Sequence, residues 1–157
     1  MDEDVAAHRN RLLTGLRAFG ARYAEITRRF ADHLGLHATD ATALTEILTA
    51  EDGGTPTTPA RLARRLGLTS GATTILLNRL EAAGYVVRSR EHTDRRIVSL
   101  RSGPGTNERA YAFFAPLAEA LDAMLDPHPR ERLEHTEALL EELDTTVGAL
   151  LDEGRLG

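Results

Sequence analysis

Apolar residues recur along this chain at helical spacing, broken by short polar turns. In the first segment Leu12, Leu16, Phe19, Tyr23, Ile26, Phe30 and His33 alternate at spacings of four and three, a heptad stripe that predicts one long helix. Gly35 supplies its C-cap. Thr39 or Asp40 is placed to cap a second helix with Ala43, Leu44, Ile47 and Leu48 on its apolar face. The stretch EDGGTPTTP, residues 51–59, is turn chemistry with room for at most a very short strand.

Thr58 before Pro59 marks a third helix over 59–66, with Leu62, Ala63 and Leu66 inward and Gly67 as its end. Thr69 then caps a fourth helix running to Ala83 and stopping at Gly84. Its inward face is Leu76, Leu80 and Ala83, with Thr73 in line. YVVRSR and RRIVSLR are rich in β-branched residues and flank the polar EHTD, which predicts a two-stranded hairpin. A fifth helix follows over about 107–126 on the stripe Ala110, Phe114, Leu117, Leu121 and Met124. Pro116 inside it calls for a bend or a later start. The sixth carries Leu133, Thr136, Leu140, Leu143, Val147 and Leu150 at spacings of three and four.

Two short helices joined by a tight turn and followed by a two-stranded wing describe a winged helix-turn-helix, whose second helix enters the major groove of DNA. The fold class expected is therefore mainly α with a small β-hairpin wing. Residues 37–104 form the winged helix-turn-helix DNA-binding region. The N- and C-terminal helices, 1–36 and 105–157, form a helical dimerisation region, because their stripes offer more apolar edge than one small lobe can bury.

Charge changes this picture at one point. The 157 residues carry a formal net charge of −5, which argues against a polyanionic partner for the whole chain. Residues 61–101, however, hold nine arginines against Glu81, Glu91 and Asp94, while residues 102–157 hold four against twelve acids. The field that steers a polyanion is local, so a basic centre between acidic ends marks one binding lobe. Lysine is absent, and every phosphate contact here would be made by a planar, permanently charged fork.

Composition excludes more than it assigns. With no cysteine there are no disulfides, thiolate metal sites or thiol switches. No run of about 18 apolar residues suggests a membrane span, so no membrane partner is expected. The acidic opening MDEDVAAHRN is unlike a secretory signal, which points to the cytoplasm. An enzyme is not expected: no Gly-x-Ser-x-Gly elbow, P-loop or HExxH occurs. His33 and His37 have metal-ligand spacing, but Gly35 between them breaks the helix, and His128 and His135 are separated by Pro129. No metal and no cofactor is expected.

On the fourth helix the outward positions Ser70, Gly71, Thr74, Ile75 and Asn78 are small, apolar or capable of hydrogen bonding, and none is acidic. Ser70, Thr74 and Asn78 share one outward arc and are the base-reading candidates. Asn78 stands out, since an amide can pair bidentately with adenine. Arg61, Arg64 and Arg65 on the third helix are equally consistent with a solvated face. At the hairpin tip His92, Arg95 and Arg96 lie beside Asp94, with Arg90 just before them.

The segment LARRLGLTSGATTILLNRLEAAGYVVRSREHTDRR resembles the DNA-binding lobe of the MarR (multiple antibiotic resistance regulator) family. The matching pieces are the LA-x-x-L-G-L-T turn, the R-L-E-x-x-G-Y-V exit and the D-R-R wing. HLGLHATD resembles the family's junction between helices one and two. The resemblance implies a homodimeric transcriptional regulator of palindromic duplex DNA, a repressor released by a small-molecule effector. It also implies that Arg96 reaches into the minor groove with Asp94 orienting it, and that Arg79 holds the DNA backbone. A ligand pocket near Tyr23, Phe30 and His33 is implied by the resemblance alone. Asn78 stands where the family often has aspartate, and Ile75 where it often has a longer polar residue, which puts the operator sequence in question. RSGPGTNER departs from the family's usual T-x-x-G entry into the fifth helix. The competing reading is a winged helix turned to protein–protein contact, with no specific DNA target.

Overall fold

A computed structural model describes residues 3–90 and 98–154. Its elements follow the order α1 (Glu3–Leu34), α2 (Ala38–Asp52), α3 (Pro59–Leu66), α4 (Ser70–Ala82), β1 (Val86–Ser89), β2 (Ser99–Ser102), α5 (Thr106–Leu125) and α6 (Arg130–Asp152). The chain divides into two compact units, Met1–Asn107 and Glu108–Gly157.

The first unit holds the packed core. Leu44 and Ile47 of α2, Leu62 of α3, Leu77 and Leu80 of α4, and Leu100 of β2 are all buried to 1% exposure or less. Phe30, Ala31 and Leu34 bring the last turns of α1 into the same core. Each of the buried Leu, Ile and Phe side chains contributes roughly 1.5–3 kcal/mol by leaving water. Upstream the heptad stripe is largely exposed, with Ile26 half-buried. Leu12 and Phe19 are more than half exposed, and Tyr23 and His33 are exposed as well.

Local chemistry sets the boundaries. Gly35 ends α1 with a φ of 68°, the left-handed conformation expected of a C-cap glycine. The second helix starts two residues earlier than a Thr39 cap would set it and three earlier than an Asp40 cap. His37 is its N-cap, without a side-chain hydrogen bond, and Asp40 lies inside the first turn. Asp40 does not cap because its carboxylate turns into the protein and pairs with Arg79 of α4. In α3 the expectation is met: Thr58 accepts from the Arg61 amide at 3.3 Å, and Pro59 occupies the tolerated first position.

The wing is an antiparallel pair in which Val86 faces Ser102 and Ser89 faces Ser99. No third strand forms over residues 51–59, yet that loop is tied to the sheet where the Leu100 amide donates to the Thr57 carbonyl at 2.8 Å. At the exit of β2, a Cβ on Gly103 would stand 1.9 Å from the Gly84 carbonyl oxygen, so only glycine fits. The Gly103 amide donates to Tyr85 there at 2.8 Å, closing the base of the hairpin.

In the second unit α6 follows α5 after a short turn. The later start considered for α5 does not occur. Its first residue is Thr106, and Pro116 sits within the helix, where its missing N–H removes one backbone bond. Apolar positions here are poorly covered: Met124, Leu140, Val147 and Leu151 are each about half exposed.

Candidate nucleic-acid interface

The turn between α3 and α4 is built by two caps. Gly67 ends α3 with a φ of 63°, donating its amide back to Arg64, and Leu68 donates to Ala63. Thr69 then opens α4, its hydroxyl accepting from the Ala72 amide at 3.2 Å. Together these fix the angle at which α4 leaves the turn.

The two faces of α4 divide cleanly. Thr73, Leu76, Leu77 and Leu80 are buried; the Thr73 hydroxyl donates to the Thr69 carbonyl, which satisfies it inside the core. Leu77 belongs to this inner face although the sequence pattern did not single it out, and Ala83, expected inside, is exposed. Ala83 lies one residue past the end of the helix, at its C-cap, where the chain is already turning away. Ser70, Gly71, Thr74, Ile75 and Asn78 are all exposed together on the outer face. A Cβ on Gly71 would meet nothing within 4 Å, so the space above the helix start is open. Thr74 donates to the Ser70 carbonyl at 2.8 Å, leaving its oxygen to accept. Ile75, 60% exposed, is the apolar member of the face.

Arg79 is held from behind. Its Nε and one Nη donate to the two Asp40 oxygens at 3.0 and 2.6 Å, a bidentate fork. The Asp40 carboxylate is 3% exposed and the Arg79 side chain 48%. The hydrogen bond and the charge of Asp40 hold the Arg79 guanidinium above its ordinary pKa. This pair joins α2 to the outer helix across 39 positions of sequence.

A second arginine went unnoticed in the sequence. From β1, Arg88 donates to the Asn78 Oδ1 at 2.9 Å and to the Glu81 carboxylate at 2.5 Å. Glu51 ties the other strand to α2, accepting from the Ser102 amide at 2.9 Å and lying 3.7 Å from Arg101. Tyr85 links the exit of α4 to the end of α1 through its hydroxyl, which donates to the Leu34 carbonyl at 2.9 Å.

On α3, Arg61, Arg64 and Arg65 are all exposed, and Arg65 pairs with Glu46 at 3.0 Å. Arg90 is exposed at the end of β1. His92, Asp94, Arg95 and Arg96 lie outside the described residues. Of the residues singled out for a ligand pocket, Phe30 is fully buried while Tyr23 and His33 are exposed. Among the described residues no helix is long and apolar enough to cross a membrane. No group of three or more histidine, aspartate or glutamate residues placed to hold a metal occurs among them either.

Residues 34–97 match the sequence profile of the MarR family. The chain is 34% identical over 118 residues to the uncharacterized HTH-type transcriptional regulator YcgE of Bacillus subtilis (strain 168), spanning 75% of this chain and 74% of that protein. In structure it is similar to a MarR family protein from Bacillus stearothermophilus, with a TM-score of 0.61 and 23% identity over 94% of this chain and 98% of the other. It is also similar to a MarR protein from Peptoclostridium difficile DA00132, with a TM-score of 0.60 and 19% identity over 90% of each chain. At these identities the structural likeness speaks to the fold, and the relationship over three quarters of the chain speaks to the family.

Proposed function

The chain belongs to the MarR family of transcriptional regulators, and from that premise we propose that it binds duplex DNA sequence-specifically as a homodimer, with α4 in the major groove. One observation carries this reading. The exposed arc Ser70, Gly71, Thr74, Ile75 and Asn78 has no acid on it, yet it stands on a helix anchored on its inner face and by the Asp40–Arg79 fork. A rigid helix with a small, polar outer face suits a groove about 12 Å wide. Ile75 offers an apolar contact of the kind a thymine methyl accepts.

The dimer is supported by the apolar stripes that stay exposed on α1 and on α5–α6. A continuous helical stripe is normally covered across an interface. Dimerisation resides in 1–36 and 105–157 and DNA binding in 37–104. The two-fold assembly meets a palindrome whose half-sites lie roughly 10 bp apart. Arg96 reaches the minor groove with Asp94 orienting it, and Arg90, His92 and Arg95 belong to the same DNA-binding surface. The protein represses transcription and a small ligand releases it, as the family resemblance implies. It works in the cytoplasm and has no catalytic role.

Titrating a random-sequence duplex and a selected duplex with the full chain across a salt series tests this reading. Each phosphate neutralised contributes about 0.9 to the slope of log affinity against log salt. A steep negative slope with a clear preference for the selected duplex is expected. A chain that binds neither duplex at low salt is instead a winged helix for protein contacts.

A further inference from the structure

Asn78 is the residue of the outer face best equipped to read a base, and its amide is not loose. The Arg88 guanidinium on β1 donates to Asn78 Oδ1 at 2.9 Å. Arg88 is in turn fixed by the Glu81 carboxylate at 2.5 Å, one turn further along α4. Guanidinium has five donors and no acceptor, so only the oxygen end of the amide can face it. The orientation of Asn78 is therefore set by chemistry: oxygen toward the wing, Nδ2 amine left to be offered elsewhere.

Two consequences point the same way. A charge-assisted bond on the oxygen draws electron density from it, which weakens it as an acceptor for a second donor. The same polarisation strengthens the amine as a donor, because linked hydrogen bonds reinforce one another. Arg88 itself adds only donors to that corner of the surface. With the Glu81 carboxylate engaged by Arg88, the Asn78 amide is left to offer its donors, unlike the free amide that pairs bidentately with adenine by accepting from N6 and donating to N7.

Resting on the DNA-binding reading above, we infer that Arg88 is a positioning residue that makes Asn78 a reader of guanine rather than adenine. Guanine presents two acceptors, O6 and N7, to the major groove, whereas adenine places an amino group where O6 would be. A donor unit gains from the first and is repelled by the second. Arg88 touches no base in this account; it selects one through the amide it holds. Its nearness to Asn78 follows from the turn at residues 83–85, where the Gly84 and Tyr85 amides donate back to Glu81 and Leu80 and send β1 along the end of α4.

The test is selection from random duplexes with the full-length protein and three single variants, each checked for native melting. Asn78→Ala locates the position: one base in each half-site should lose its preference while the remainder of the motif stays. At that base the natural protein should favour guanine over adenine by roughly tenfold. Arg88→Met keeps the aliphatic stem and removes the donors, so the same position should shift toward adenine with every other position unchanged. Arg88→Lys retains a donor for Oδ1 and should keep the guanine preference. A natural protein that already prefers adenine at the Asn78-dependent base overturns the inference. So does an Arg88→Met variant that keeps guanine, or an Asn78→Ala variant that alters no position. If the natural protein selects no motif at all, the DNA-binding reading itself fails, an outcome distinct from each of these.

Discussion

The winged lobe, α2 to β2 within residues 1–107, and residues 108–157 treat their apolar side chains in opposite ways. In the first unit α2, α3, α4 and the hairpin bury Leu44, Ile47, Leu62, Leu77, Leu80 and Leu100 almost completely. In the second, the stripes of α5 and α6 have the same helical period but leave Met124, Leu140, Val147 and Leu151 about half exposed. Periodicity alone does not separate these cases, since both stripes are amphipathic. What separates them is the number of neighbours. A short helix in a bundle of four elements and a sheet has its apolar face covered within its own chain. Two helices joined end to end cover only part of theirs. The lesson is a division of labour: the winged lobe covers its own apolar residues within one chain, and the remaining helices leave a surface that the proposed dimer would cover.

Breaking each region should therefore give different signatures. Leu62→Ala removes a fully buried side chain from the centre of the lobe and should cost roughly 2–5 kcal/mol, with a melting loss independent of protein concentration. Leu140→Ala, from a half-exposed position, should give a melting temperature that rises and falls with concentration, as mass action requires of a dimer. Calorimetry at two concentrations a hundredfold apart distinguishes them. Equal behaviour of the two variants removes the contrast.

Arg79→Ala comes next in size. It strands the buried Asp40 carboxylate, so a clear loss of stability in urea unfolding is expected. Asp40→Asn leaves a neutral group facing a half-exposed arginine and should cost less. If the order is reversed, the pair does not anchor α4 in the way its geometry suggests. Smaller still is Thr69→Ala, which deletes the cap of α4 and should cost about 1 kcal/mol. Its value is in sharpening the comparison, because a locally capped helix loses stability in either oligomeric state.

The legible parts of this molecule are those governed by near neighbours. The caps at Thr58 and Thr69 and the glycine stops at Gly35 and Gly67 follow from residues three or four apart, and the bounds of α3 were readable to the residue. The outer face of α4 was readable too, because helical spacing assigns Ser70, Thr74 and Asn78 to one side. The rest depends on distance along the chain. Asp40 has the sequence signature of an N-cap, yet its partner stands 39 residues away and no local rule names it. The hold of Arg88 on Asn78 spans 10 residues, but only after a turn and a strand have doubled back. Leu77 carries no mark in the stripe because α4 is covered over a wider arc than a single stripe, and Ala83, expected inside, is exposed because the helix ends a residue sooner than its pattern. His92, Asp94, Arg95 and Arg96 fall outside the described residues; the roles of Asp94 and Arg96 rest on the family resemblance, and those of His92 and Arg95 on their place at the polar tip in sequence.

The claim that one region reads DNA while the other pairs two chains is tested most directly by sedimentation of the full-length protein with a duplex carrying the selected palindrome. The natural protein should sediment as a dimer alone and as two chains per duplex when bound. A double variant, Leu133→Glu with Leu140→Glu, should lose the dimer while the lobe keeps its fold by circular dichroism, and should bind a single half-site far more weakly. A natural protein that occupies the duplex as one chain, or a double variant that remains a tight dimer, would contradict the account.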